Sequence, residues 1–346
     1  MFMDKSVTVK KSDGRLGRIV SYVLNHKVSL LVVITIIVVS FFQTMNPNFL
    51  REQNILIMLI ITSFIGFLGL GVGLLLISGQ IDLSTGAVTV MSAVLVALLI
   101  NAGIPWPLAA LITLVFGAVA GAITAFLVNG LGMMSFIATI GMMSVWSGLA
   151  LVVTRGNPIT INDPGFWALS DIRFFDTIPL LFVILLFLVV LYGFMLSQTK
   201  FGRSIYIVGG NKNAARLAGI NPKRVQNILF INAGAISALC GILFASNFRR
   251  GDPVAITLGM DAITAAVLGG ISFAGGAGGT GGFLVGLLLL SFFNNGLNIS
   301  GVGPYWQTFA RGAILIAALL LDYLRSRQRE KVIRAGTAEK TAAKSK

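Results

Sequence analysis

Neutral polar side chains recur inside otherwise apolar stretches of this chain: Ser78, Gln80 and Ser84, then Ser272, then Asn294, Asn295 and Asn298. Amides and hydroxyls offer donors and acceptors without charge. A line of them inside a lipid-embedded bundle suits a neutral, hydroxyl-rich solute, although interhelical hydrogen bonding uses the same groups. Asp82 sits among them. With Ser84 two residues on, it is either part of such a path or an N-terminal cap for the following span. Asn294-Asn295-Gly296 is likewise either a helix break on the path or a packed kink. Otherwise only Asp261 and Arg311 fall in or near apolar stretches. Ionisable groups at membrane depth are costly and mark ion or proton relays, and no relay spacing is evident.

Covalent and cofactor chemistry has no counterpart here. Gly276-Ala277-Gly278-Gly279-Thr280-Gly281 fits G-x-G-x-x-G, but its neighbours are apolar spans, not the strand and helix of a dinucleotide fold. No phosphate-binding G-x-x-x-x-G-K-[ST], G-x-S-x-G, H-E-x-x-H or cysteine cluster occurs. His26 stands alone and reads as an interfacial residue. Cys240, the sole cysteine, lies within a span and has no disulfide partner in the chain. No catalytic residue, metal site or cofactor of its own is expected, and no enzyme activity.

These side chains are carried by a membrane-embedded scaffold. The 346 residues are 56% hydrophobic and 11% charged, with mean hydropathy +0.90, whereas soluble domains carry about a quarter charged residues. The expected fold is an all-α polytopic membrane protein with about ten transmembrane helices. They fall near 28–45, 55–77, 84–101, 107–128, 134–153, 178–196, 226–247, 259–274, 282–300 and 306–323. The third and eighth are short and rich in small residues, so eight or nine full crossings also fit. Residues 1–27 form a basic arm, 28–323 one membrane domain, and 324–346 a basic tail. The first span lacks a small-residue cleavage site and reads as an uncleaved anchor.

Charge sets the orientation. Of the 26 Lys and Arg, 20 lie in the N-terminal arm, the 197–225 loop and the tail. Ten crossings place all three on one side with both termini cytoplasmic, as the positive-inside rule requires. This placement explains the net charge of +14 without a nucleic-acid partner. Trp106, Trp167 and Trp306 fall at or beyond the outer ends of spans. Gly69-x-x-x-Gly73, Gly117-x-x-x-Gly121 and Gly282-x-x-x-Gly286 suit close helix packing. Two Gly-bounded segments, 79–87 and 269–277, resemble each other weakly, as broken helices of repeat-built transporters do.

The polar island from Ser197 to Gln226 holds six Lys and Arg and no acid. Asn211 to Gly219 has the form of a short helix, capped by Asn211 or Asn213 and ended by Gly219, with Ala214, Ala215 and Leu217 as a small apolar face. So short a helix is marginal alone in water. Small side chains on it fit docking into another protein, while a solvated basic loop remains the plainer alternative.

The pattern Gly202-Arg203-x-Ile205-Tyr206-x-x-Gly209-Gly210-Asn211-x-x-Ala214-x-Arg216-x-x-Gly219-Ile220 resembles the coupling segment of permeases in the ribose/xylose class of bacterial ABC importers. Three further stretches match in order: Ser78-Gly79-x-Ile81-Asp82-Leu83-Ser84-x-Gly86, the run from Asp261 to Gly276, and Asn294-Asn295-Gly296-Leu297-Asn298. Asn46-Pro47-Asn48-Phe49 before a span also fits. Gln80 departs from the pattern, standing where a small residue is usual, and the tail after 324 is longer and more basic.

The resemblance implies a permease of a monosaccharide importer in the bacterial inner membrane. Its partners would be a cytoplasmic ATPase carrying ATP and Mg, a periplasmic or lipid-tethered sugar-binding protein, a second permease copy or paralogue, and membrane lipids. Gly209, Gly210, Asn211, Ala214, Ala215, Arg216 and Gly219 would couple to the ATPase. Ser78, Gln80, Asp82, Ser84, Ser272, Asn294 and Asn295 would line the substrate path. The competing expectations are an ion-coupled secondary transporter of a small polar solute, and a non-transporting scaffold whose basic loop binds anionic lipid.

Overall fold

The computed structural model describes residues 27–254, residues 258–320 and Tyr323. The basic arm with His26, and the tail, lie outside the described residues. Each of the ten apolar stretches contains a helix: α1 (Lys27–Met45), α2 (Glu52–Ile77), α3 (Thr85–Asn101), α4 (Trp106–Ala125, extended by a π-turn Phe126–Gly130), α5 (Ser135–Thr154), α7 (Leu180–Gln198), α10 (Pro222–Phe248), α11 (Leu258–Leu268), α12 (Thr280–Ile299) and α13 (304–320). Between them lie α6 (Pro164–Asp171), α8 (Lys200–Gly210) and α9 (Lys212–Leu217). Two ladders of two-residue strands, Ile159–Thr160 with Arg250–Gly251 and Arg173–Phe174 with Ile178–Pro179, are the β-structure among the described residues.

Seven of the described helices are long and apolar enough to cross a membrane; α3 and α11 fall short of that length. α11 stops at Leu268, whereas the sequence suggests a span to 274. Its end is set by Gly270, whose φ of +87° is open to glycine at little cost, with the Ile271 amide bonding back to Ala266. α2 ends the same way, with Gly79 at φ +74° and the Gln80 amide returning to Leu75. The two weakly similar segments thus share a local geometry: each leaves a helix through a left-handed glycine.

α2 is the bundle's axis, buried without interruption from Thr62 to Ser78. α4 and α10 meet backbone to backbone. A Cβ on Gly117 would overlap the Gly234 carbonyl, and one on Gly121 the Phe230 carbonyl. The other two G-x-x-x-G pairs also act in packing: Gly282 and Gly286 admit the backbone around Gly269, while Gly69 and Gly73 admit Phe283 and Ile271. Near-contact of backbones is what small residues permit in lipid. Asn46 explains part of its motif by donating to the Ile299 carbonyl (2.8 Å), tying α1 to the end of α12.

The molecule has two ends. One, called the basic end, carries α8, α9, the start of α10 and the glycine loop 269–279. The other carries the starts of α2 and α13 and the ends of α10 and α12. α3 begins inside the bundle, because Thr89 Oγ1 donates to the Ser237 carbonyl well along α10. The connector 78–84 therefore climbs from the basic end into the interior. Inside, Gly86 near the start of α3 lies against Gly259 near the start of α11, with a Cβ on Gly259 only 3.3–3.4 Å from Gly86 atoms.

Candidate functional site

At the basic end the polar island is two helices, not a loop with one. Thr199 caps α8 by accepting from the Gly202 amide (3.0 Å), and Gly202, Ile205 and Val208 turn inward at helical spacing. Asn211 caps α9, its Oδ1 accepting from the amides of Asn213 (2.9 Å) and Ala214 (3.0 Å). Gly219, at φ +76°, ends it. The proposed small face is divided. Ala215 is fully buried in the chain's own core, whereas Leu217 is 91% exposed and Ala214 and Arg216 are exposed beside it.

α8 is clamped to the bundle through main-chain atoms. The Gly276 amide donates to the Ile77 carbonyl (2.8 Å), and a Cβ on Gly209 would overlap that same oxygen. A Cβ on Gly276 would come within 2.9 Å of Gly210 Cα. The Tyr206 hydroxyl donates to the Gly278 carbonyl (2.8 Å); burial raises its pKa, so it stays a donor at neutral pH. Gln226 of α10 donates to the Ser78 carbonyl (3.2 Å). Both connectors, 78–84 and 269–279, therefore begin or pass at the ledge formed by α8.

The expected path residues divide between the two ends. Ser78, Gln80, Asp82, Ser84 and Ser272 are all buried on the connectors. Asp82 Oδ1 accepts from the Ser84 amide (2.8 Å) and hydroxyl (2.6 Å), closing the turn that enters α3 rather than capping its first turn. Asn294 and Asn295 instead line a cavity of about 450 Å³ at the opposite end. α12 runs unbroken through them, so of the two alternatives the helix break is absent. Gly296 makes room there for the Phe42 ring of α1.

The cavity descends along α2 from Asn54 to Ile65 and is walled by α10, α11, α12 and α13. Ser291, Asn294, Asn295 and Asn298 fall on one face of α12 at i, i+3, i+4 and i+7, a spacing visible in the sequence. Asn54 and Asn295 exchange amide hydrogen bonds in both directions (2.8 and 3.0 Å). Asp261 of α11 pairs with Arg311 of α13 at 3.7 Å. Neither this pairing nor the roles of Asn54 and Ser291 were legible without the fold. From Ile65 to Ser78 is 13 residues, about 20 Å of α-helix, all of it buried, so packed bundle separates the cavity from the α8 ledge. Among the described residues no group of His, Cys, Asp and Glu is arranged to hold a metal.

Residues 54–319 match the family model described as "Branched-chain amino acid transport system / permease component". The ribose import permease of Bacillus subtilis (strain 168) is 37% identical over 295 residues, covering 85% of this chain and 91% of that protein. The ribose import permease of Escherichia coli (strain K12) is 32% identical over 325 residues, 91% of this chain and 99% of its own. The D-allose transport system permease of the same strain is 34% identical over 299 residues, 84% and 90% respectively. No solved structure matches significantly. A transporter component rather than an enzyme, and multi-pass in the inner membrane, the chain belongs to the family of permease components of branched-chain amino acid-type transport systems.

Proposed function

We propose that this chain is the membrane-spanning permease subunit of an ATP-driven, binding-protein-dependent importer that carries a small neutral, ribose-like sugar. The observation that carries this reading is the Ile77 carbonyl, which is contacted by Gly276 and closely approached by Gly209. It ties an exposed basic ledge to both connectors, and through them to α3 and to α11, which walls the cavity. The relatives named for ribose and D-allose support a sugar, and they favour an ATP-driven importer over the ion-coupled alternative.

In this reading residues 28–323 form one membrane domain with ten crossings. The arm 1–27, the ledge 197–225 and the tail 324–346 share the cytoplasm. The cavity then opens toward the periplasm, where a periplasmic or tethered binding protein delivers the sugar. A second copy or paralogue completes the path, in contact with membrane lipid. Asn211, Ala214, Arg216 and Gly219 present α9 to an ATPase that holds ATP and Mg, while Gly209, Gly210 and Ala215 hold the ledge to the bundle. Closure of the ATPase pair shifts α8 and α9 as one body. The shift passes through Ile77 and the 275–278 backbone to the connectors, and α11 moves Asp261 at the cavity. Ser78, Gln80, Asp82, Ser84 and Ser272 lie on the part of the path that opens when the ledge moves.

The test is reconstitution of the chain with its ATPase and binding protein in liposomes, followed by uptake of labelled ribose. Uptake is expected only with ATP and all components. Uptake by the purified chain alone, driven by an ion gradient, would overturn the reading.

A further inference from the structure

We propose that the cavity beside Asp261 and Arg311 is a binding vestibule for one neutral monosaccharide, and that it selects against zwitterionic amino acids. This rests on the importer reading and adds where the permease itself holds its solute. Three polar atoms at the cavity, Ser291 Oγ, Asn294 Oδ1 and Arg311 Nε, are buried without a hydrogen-bond partner among the described residues. Ser291 is only 4% exposed. Buried polar atoms in folded proteins are normally satisfied, so three unsatisfied ones on residues that wall the cavity point to groups that turn onto a ligand when one is bound. At about 450 Å³ the space lies within the range of small-molecule sites.

The surrounding chemistry narrows the ligand. Opposite the polar face stand Phe64, Phe244 and Phe248, with ring centroids 5.4 Å (Phe64–Phe244) and 4.5 Å (Phe244–Phe248) apart. A sugar ring has an apolar C–H face for such a wall and a hydroxyl edge for amides and hydroxyls. The only charges lining the cavity among the described residues, Asp261 and Arg311, already neutralise each other at 3.7 Å. A zwitterion would have to prise that pair apart to place its ammonium and carboxylate, leaving each charge dependent on the ligand. A polyol gains a carboxylate acceptor and a guanidinium donor while the pair stays intact. Sites built to bond hydroxyls also reject analogues that lack them, since their own groups are then left unpaired.

The assembled complex provides the test. Cys240 is fully buried and is replaced by Ala to give a thiol-free background; Asn298→Cys, at an exposed position on the polar face of α12, is then labelled with a small thiol reagent. Ribose is expected to slow labelling severalfold and leucine to leave it unchanged. In parallel, adding Asn294→Ala to that background is expected to raise the ribose concentration needed for half-maximal protection about tenfold, the signature of lost binding at the cavity itself. Where Asn298→Cys does not assemble, Gln307→Cys, on the α13 wall of the cavity, replaces it. No protection by saturating ribose, equal protection by leucine, or an unchanged half-maximal ribose concentration in Asn294→Ala overturns the vestibule even while ATP-driven ribose uptake persists. Uptake of leucine and not ribose sinks both the vestibule and the sugar-importer reading.

Discussion

Gly276 donates its main-chain N–H to the carbonyl of Ile77 at 2.8 Å, joining one connector to the end of the helix from which the other departs. Gly209 packs against the same oxygen so closely that no Cβ fits. The lever between the basic ledge and the bundle is thus made of backbone.

Adjacent glycines should therefore behave differently. Gly209→Ala must displace main-chain atoms, and overpacking of this kind costs about 1–3 kcal/mol. A Cβ on Gly210 meets nothing within 4 Å. Thermal unfolding of the purified chain in detergent should show a lowered midpoint for Gly209→Ala and little change for Gly210→Ala. Equal midpoints would contradict the packing described.

Ala215 and Leu217 provide a second contrast. Ala215→Leu enlarges a fully buried side chain and should destabilise the ledge itself. Leu217→Glu alters a side chain that is 91% exposed, so stability should hold while co-purification of the ATPase falls. Retention of the ATPase by Leu217→Glu would remove α9 from the proposed docking surface.

The Asn54–Asn295 pair is reciprocal, so the cost of breaking it depends on how it is broken. Asn295→Ala leaves the part-buried Asn54 Oδ1 without its donor, while Nδ2 keeps the Phe49 carbonyl (2.7 Å), at a cost of about 1–3 kcal/mol. Replacing both residues by Leu removes the polar groups together and should recover much of that loss. A double-mutant cycle of unfolding midpoints measures the coupling; additive effects would mean that the pair does not hold α2 to α12.

Gly117 and Gly121 set the spacing of α4 and α10, two helices in direct backbone contact. Gly121→Leu would require the helices to part and should abolish insertion of a stable bundle. Recovered yield after membrane extraction is the readout, with Gly141→Leu as the control, since a Cβ there meets nothing within 4 Å. Matching yields would argue against this interface.

Much of this architecture is legible in the residue order. Apolar runs mark every long helix because lipid demands unbroken apolar stretches, and Asn211 and Gly219 announce the limits of α9 by cap chemistry. α8 is less obvious, though Thr199 as a cap and the Phe201, Ile205, Val208 spacing mark it. The direction faced by Ala215 is not written in a six-residue helix, because a small side chain suits an internal contact and a partner's cleft equally. Nor does the order of residues reveal that Asp261 and Arg311, fifty positions apart, share one cavity with Ser291 and Asn294. That proximity is produced by α11, α12 and α13 packing together.

The buried stretch of α2 between Ile65 and Ser78 has an evolutionary consequence. In the proposed importer it places about 20 Å of packed helix between the side chains assigned to the solute and the main-chain atoms assigned to the motor's movement. On that proposal, substitutions around Ser291 and Asn294 retune which molecule is accepted without disturbing a junction that has almost no side chains to alter. Cargo preference can diverge from one descendant to the next while a single drive train is inherited unchanged.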